Sequence, residues 1–192
     1  MSARFILASA SPRRLDLLSQ IGAVPHRVVA ADIDEAAGVR ELPVDLAKRL
    51  AEAKAGLIAE QFPADWVLAA DTVVACGRRI LGKPADETEA RGFLKLLSGR
   101  RPRVHGGICM VAPDGRRGRR LVTTAVVFKR LAKEEIDAYI DGGEWRGKAG
   151  GYAIQGAAAA FVPKIIGSYS NVVGLALAET AALLRGAGFK TG

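Results

Sequence analysis

Asp71 stands inside the run from Val67 to Ala75, with apolar residues on both sides and only Thr72 to share its polarity. A carboxylate in such a run is partly buried. Burial without a partner costs several kcal/mol or forces the group to take up a proton, and a metal or a cationic neighbour resolves the conflict. Acidic residues are depleted in strands. The position therefore reads as a functional one, against the plainer reading of a carboxylate capping a turn at the strand end. Lys54 is a second anomaly. On the helix that opens at Pro43, residues Ala47, Leu50, Ala51, Leu57 and Ile58 share one face by spacings of three and four, and Lys54 falls in the middle of it. Either its stem is buried with the ammonium in water, or the lysine reaches over the core edge into an anionic site.

Three further segments carry charge in chemically useful places. Ser9-Ala10-Ser11-Pro12-Arg13-Arg14 combines a helix start with two hydroxyls and two arginines. Free amides and the positive end of a helix suit phosphate, whereas arginines this early oppose the dipole unless an anion is bound. Asp32-Ile33-Asp34-Glu35 is an acidic cluster after a strand, able to give oxygen ligands to magnesium or manganese together with Asp71. Gly77 to Pro84, GRRILGKP, nearly matches a phosphate-binding loop. Pro84 replaces the hydroxyl residue that motif needs, so the assignment fails, although Lys83 remains a candidate phosphate ligand. Gln155, between Gly151 and Gly156, offers an amide with both donor and acceptor for a base edge, against the reading of a structural turn. The segment Gly167–Gly174 reads as a turn, and His26 and His105 lack ligand spacing.

These residues need elements to hold them. Phe5 to Ala8 reads as a strand, and Ser11-Pro12 starts a helix that ends near Gly22. His26 to Ala30 reads as a strand, and Pro43 opens a helix to about Glu60. Val67 to Cys76 reads as a buried strand with a short return through Ile80 and Leu81. Asp86 to Leu97 is a helix whose Asp86 and Glu89 are spaced as a capping pair. Val104–Ala112 and Leu121–Phe128 form a hairpin, Lys133 to Asp141 a helix, Gly142–Gly156 a loop with at most one short strand, and Glu179–Gly186 the last helix. Strands and helices interspersed around a hairpin predict a mixed central sheet with helices packed on it.

The 192 residues suit one domain, 1–192, or one domain of two lobes about a cleft. Nearly half are apolar, so a true core is expected. No run reaches the roughly 20 apolar residues that span a bilayer, and the first residues do not read as a signal peptide. Cys76 and Cys109 sit in apolar runs and read as free thiols. The cytoplasm is the expected compartment. The net charge of +8 favours anionic partners. Seven arginines lie between Arg100 and Arg120 with no aromatic residue among them, so they read as a solvated hairpin and nucleic acid as an unlikely partner.

In order, SASPRR at Ser9, DIDE at Asp32, KA at Lys54, AADTVV at Ala69, LGKP at Leu81, LSG at Leu97, KAGGYAIQG at Lys148 and GSYSNVVGLAL at Gly167 resemble the Maf family of nucleotide pyrophosphatases over nearly the whole chain. The resemblance implies a mixed α/β fold of the Maf/inosine-triphosphatase kind with a deep cleft, a divalent metal (Mg or Mn), and cleavage between the α and β phosphates by a metal-activated water. It implies Asp71 as base and metal ligand, Glu35 as metal or water ligand, and Arg13, Lys54 and Lys83 as phosphate ligands. Ser9, Ser11, Arg14, Thr72 and Gln155 join them as substrate-binding residues. Arg13, Thr72 and Gln155 resemble the branch that hydrolyses dTTP and UTP. A homodimer is also implied. Departures from the family's usual residues stand at Pro102, His105 and Leu175-Ala176-Leu177. Two rivals remain: a methyl-GTP pyrophosphatase of the same family, and a basic, non-catalytic nucleic-acid-binding regulator.

Overall fold

The computed structural model describes residues 4–189. A seven-stranded mixed sheet runs in the order β2 (Arg27–Val29), β1 (Phe5–Ala8), β3 (Trp66–Cys76), β5 (Arg103–Val111), β6 (Arg117–Val127), β7 (Lys164–Ile166), with β4 (Arg79–Leu81) beside β3. β2, β1 and β3 are parallel, whereas β4, β5, β6 and β7 join antiparallel. Alternation along the strands sorts the two faces. Ile6, Ala8, Val67, Ala69 and Cys109 pack against helix α2 (Pro43–Gln61). Phe5, Leu7, Leu68, Ala70 and Val74 belong to the larger core on the other face. That core takes in residues of α1 (Pro12–Gln20), α3 (Glu87–Leu97), α4 (Lys133–Asp141) and, after the five-residue helix α5 (Tyr169–Val173), α6 (Leu177–Gly186).

α2 lies close to the sheet because its inner face is built from Ala47, Ala51 and Ala55 between Leu46, Leu50 and Ile58. Beneath it a Cβ on Gly107 would collide with the Ala47 carbonyl and meet Ala51 Cβ at 3.2 Å. Gly107 is also the ladder partner of Asp71. The helix is thus seated at the strand position that carries the carboxylate.

The elements expected from the sequence form with shifts of a few residues. Asp86 caps α3 by accepting from the Glu89 N–H at 2.8 Å, and the Glu89 side chain accepts from Ala85 N–H in return. The hairpin differs: its second strand begins at Arg117, because the tight turn at Pro113–Gly115 lets pairing start at Val111↔Arg117. The segment from Gly142 to Gly156 contains no strand but a single 3₁₀ turn, Ala149–Gly151. Residues 164–173, read in part as a turn, form β7 and α5. Asn171 donates to the Val104 and Val122 carbonyls and to Thr124, tying α5 to β5 and β6.

Candidate active site

A cleft opens where one edge of β3 changes partner. β1 pairs with β3 up to Ala8↔Ala69, and β4 takes over the same edge from Val74↔Leu81. Residues 70–73 lie between them. The chain leaving β1 enters Ser9–Arg14 at this gap, and the chain leaving β4 enters Lys83. A crevice beyond the carboxyl end of a parallel strand is where α/β sheets commonly bind ligands. The cleft has a volume of about 390 Å³.

Asp71 and Thr72 sit in the gap and face opposite sides of the strand. Asp71 faces α2, and Lys54 Nζ donates to its Oδ1 at 2.6 Å. The same ammonium lies 2.5 Å from Glu35 Oε1. Lys54 is only 7 % exposed and Asp71 8 %, so the ammonium does not end in water; the lysine reaches the anionic site. Thr72 faces the start of α1, where Arg14 Nη2 donates to its Oγ1 at 3.2 Å. Arg14 also donates from Nη1 to Ser9 Oγ at 3.0 Å and from Nε to the Gly174 carbonyl at 2.9 Å. All three acceptors are neutral, so among the described residues this buried guanidinium has no contacting carboxylate.

The charges strain against burial. Desolvation lowers the Arg14 pKa, opposed by Asp71, reinforced by Arg13 and opposed again by Glu35. Desolvation also lowers Arg13. For Glu35, burial pushes the carboxyl up as the largest single effect. The hydrogen bond and charge of Lys54, with Lys83 and Arg14, together outweigh it and hold the group below its ordinary value. Lys148 is lowered by burial and by Arg13, against Glu144.

Of the residues singled out from the sequence, Ser9, Ser11, Arg13, Arg14, Glu35, Lys54, Asp71, Thr72 and Lys83 all line the cleft. Gln155 does not. It is exposed on the turn closed by the Gly156 N–H to the Ala153 carbonyl, while its neighbours Tyr152 and Ile154 are buried. Asp32 and Asp34 are also outside the lining, and Asp34 instead accepts from the Ala36 N–H. Arg146 and Lys148 line the cleft without having been singled out as ligands. Arg146 gives no sequence signal among so many arginines, whereas Lys148 was visible as the lysine before the paired glycines. Val74, Ala149, Tyr152 and Val173 form an apolar wall. The departures at Pro102, His105 and Ala176 do not line the cleft; His105 is buried with Nδ1 2.9 Å from Thr123 Oγ1.

A sequence profile described as Maf-like protein matches residues 4–187. The chain belongs to the Maf family. A protein of Paramagnetospirillum magneticum named dTTP/UTP pyrophosphatase is 65% identical over 96% of this chain and 97% of its own. Proteins of that name from Rhodospirillum rubrum and Caulobacter vibrioides are 56% and 55% identical, covering 100% and 96% of this chain and 91% and 96% of theirs. A solved nucleoside-triphosphatase / dITP/XTP pyrophosphatase from Mycobacterium abscessus overlaps 66% of this chain and 75% of its own at 18% identity and a TM-score of 0.43, too loosely to carry an argument. No helix among the described residues is long and apolar enough to cross a membrane.

Proposed function

We propose that this Maf-family chain hydrolyses dTTP and UTP to the monophosphate and pyrophosphate. The observation that carries the reading is the charge of the cleft. Arg13, Arg14, Lys54, Lys83, Arg146 and Lys148 face only Glu35 and Asp71, an excess of four positive charges suited to an ionised triphosphate. The names of relatives more than half identical over nearly their whole length support the choice of substrate.

Glu35 and Asp71 would hold a divalent cation. They already share one cation, the Lys54 ammonium, so their oxygens are close enough to share another. Among the described residues no group of three His, Cys, Asp or Glu side chains could hold a metal by itself. Two carboxylates completed by phosphate oxygens and water is the usual pattern for magnesium or manganese. When bound, such an ion supplies Lewis-acid neutralisation of phosphate charge.

The chain's own residues do the rest. Arg14, fixed by Ser9, Thr72 and Gly174, presents a preorganised charge whose desolvation strengthens its pull on a phosphate. Arg13 and the amides at the start of α1 face the same anion. Asp71 Oδ2, which carries no hydrogen bond among the described residues, takes the proton of the attacking water. The water oxygen bonds to the α-phosphorus, and the bridging P–O bond breaks with its electron pair leaving on pyrophosphate. Lys83 and Lys54 stabilise that leaving charge. The wall of Val74, Ala149, Tyr152 and Val173 is where the base packs. Product analysis tests the reaction: dTTP must give dTMP and pyrophosphate in equal amounts, and dTDP with orthophosphate would overturn it.

A further inference from the structure

We propose that Arg49 is a positioning residue that holds Glu35 in the cleft, an inference that rests on Glu35 serving this site. Between β2 and α2 the chain from residue 30 to 42 has neither helix nor strand. Glu35 lies in the middle of it with its side chain 49% exposed, so burial does not fix its carboxylate. Side chains of α2 do. Lys54 takes the Glu35 carboxylate itself. Five residues earlier on the helix, Arg49 grips the backbone beside it: Nη2 donates to the Ala36 carbonyl at 2.9 Å. The same guanidinium is forked onto Glu41, with Nε to Oε1 at 2.8 Å and Nη2 to Oε2 at 2.9 Å. Glu41 in turn accepts from the Gly38 N–H at 2.8 Å. The turn it closes carries Arg40 at φ +60, a left-handed conformation uncommon for a residue with a side chain. One planar cation thus binds both ends of the segment 36–41 to the helix that carries Lys54. Ile33, packed at Leu46, Ala47, Leu50 and Val73, anchors the other side of Glu35. Lysine has no fork with which to satisfy a carboxylate and a carbonyl at once.

Arg49 does not line the cleft, so its effect must pass through Glu35. In dTTP hydrolysis, Arg49→Met should lower kcat by roughly 10–100-fold, the scale of a misplaced reacting group. The KM should stay within about twofold, because the phosphate-binding cations stand on other segments. Arg49→Lys should fall with it. The deciding comparison is a double-mutant cycle with Glu35→Gln. If Arg49 acts through Glu35, adding Arg49→Met to Glu35→Gln costs less than about twofold more. Losses that multiply, or full activity in Arg49→Lys, overturn the proposal. Full activity in Glu35→Gln alone would overturn the site reading itself, a separate outcome. Should Arg49→Met fail to fold, Glu41→Gln breaks the same fork from the carboxylate side and must show the same coupling to Glu35; additivity there also overturns the proposal.

Discussion

Burying Lys54 and Asp71 strips both of water, and a buried pair contributes little net stability compared with apolar residues of the same size. Its presence in the floor of a cleft points to chemistry. Asp71→Asn keeps the shape and removes the carboxylate proposed as the base, so turnover should fall by about 10²-fold or more with the fold intact; pyrophosphate release and a melting curve check both halves. Lys54→Met is different, because it leaves Asp71 without the cation that compensates its burial. Stability should drop by about 3 kcal/mol in a urea titration. Manganese should raise the melting temperature of Lys54→Met more than that of the unmodified chain, since the ion would enter between two carboxylates left free. An equal shift in both would mean that Lys54 and the metal do not share ligands. Lys54 and Asp71 were legible in the sequence because each breaks an apolar pattern of known period. That the two meet was not, because it depends on where α2 sits over β3.

That seating is a property of the elements. Gly107 lets α2 approach the sheet, and Ala47 and Ala51 supply the matching small residues. Gly107→Ala should therefore cost about 1–3 kcal/mol by overpacking. It should also reduce turnover, since a displaced α2 carries Lys54 and Arg49 with it; unfolding and activity assays on one preparation show whether the losses go together. The loop before α2 has its own signature in acid. The Glu41 carboxyl is held at about 2, first by the hydrogen bond from Arg49 and then by the Gly38 N–H. A depressed carboxyl stabilises the fold above its ordinary value, and that contribution is lost as pH falls through the folded one. The stability gap between the unmodified chain and Glu41→Gln should be constant above about pH 5 and close between about 4.5 and 2. Urea midpoints measured through that range test the sign. Helix α2 could be read from its proline start and its apolar spacing. The Arg49 clamp could not, because an exposed arginine on a helix looks the same whether it is solvated or holds a distant carbonyl.

At the scale of the molecule, the cleft comes from a split strand edge, with β1 ending at Ala8 opposite Ala69 and β4 ending at Leu81 opposite Val74. Strand order of this kind is set by non-local pairing, so the sequence indicated a mixed sheet but not where it would part. β7 and α5, of three and five residues, were too short to leave a periodic signal. The charged end of the cleft was nearly all visible beforehand, because charge near a helix start or in a strand is conspicuous. The apolar wall was not, since Val74 and Tyr152 look like any core residues, and the exposed place of Gln155 followed from a turn that glycines permit but do not orient. The hairpin arginines lie outside the cleft lining, and Arg116 and Arg119 pair with Asp114 and Glu52. Uracil and thymine offer the same carbonyl and N–H edge, so one site can take both, and the proteins named dTTP/UTP pyrophosphatase motivate that pair of bases. The most direct test is pyrophosphate release from dTTP, UTP, CTP, ATP, GTP and methyl-GTP under one set of conditions with magnesium or manganese. The account predicts that dTTP and UTP are turned over at least about tenfold faster than the rest. Equal turnover of all six, preference for methyl-GTP, or no pyrophosphate from any of them would contradict it.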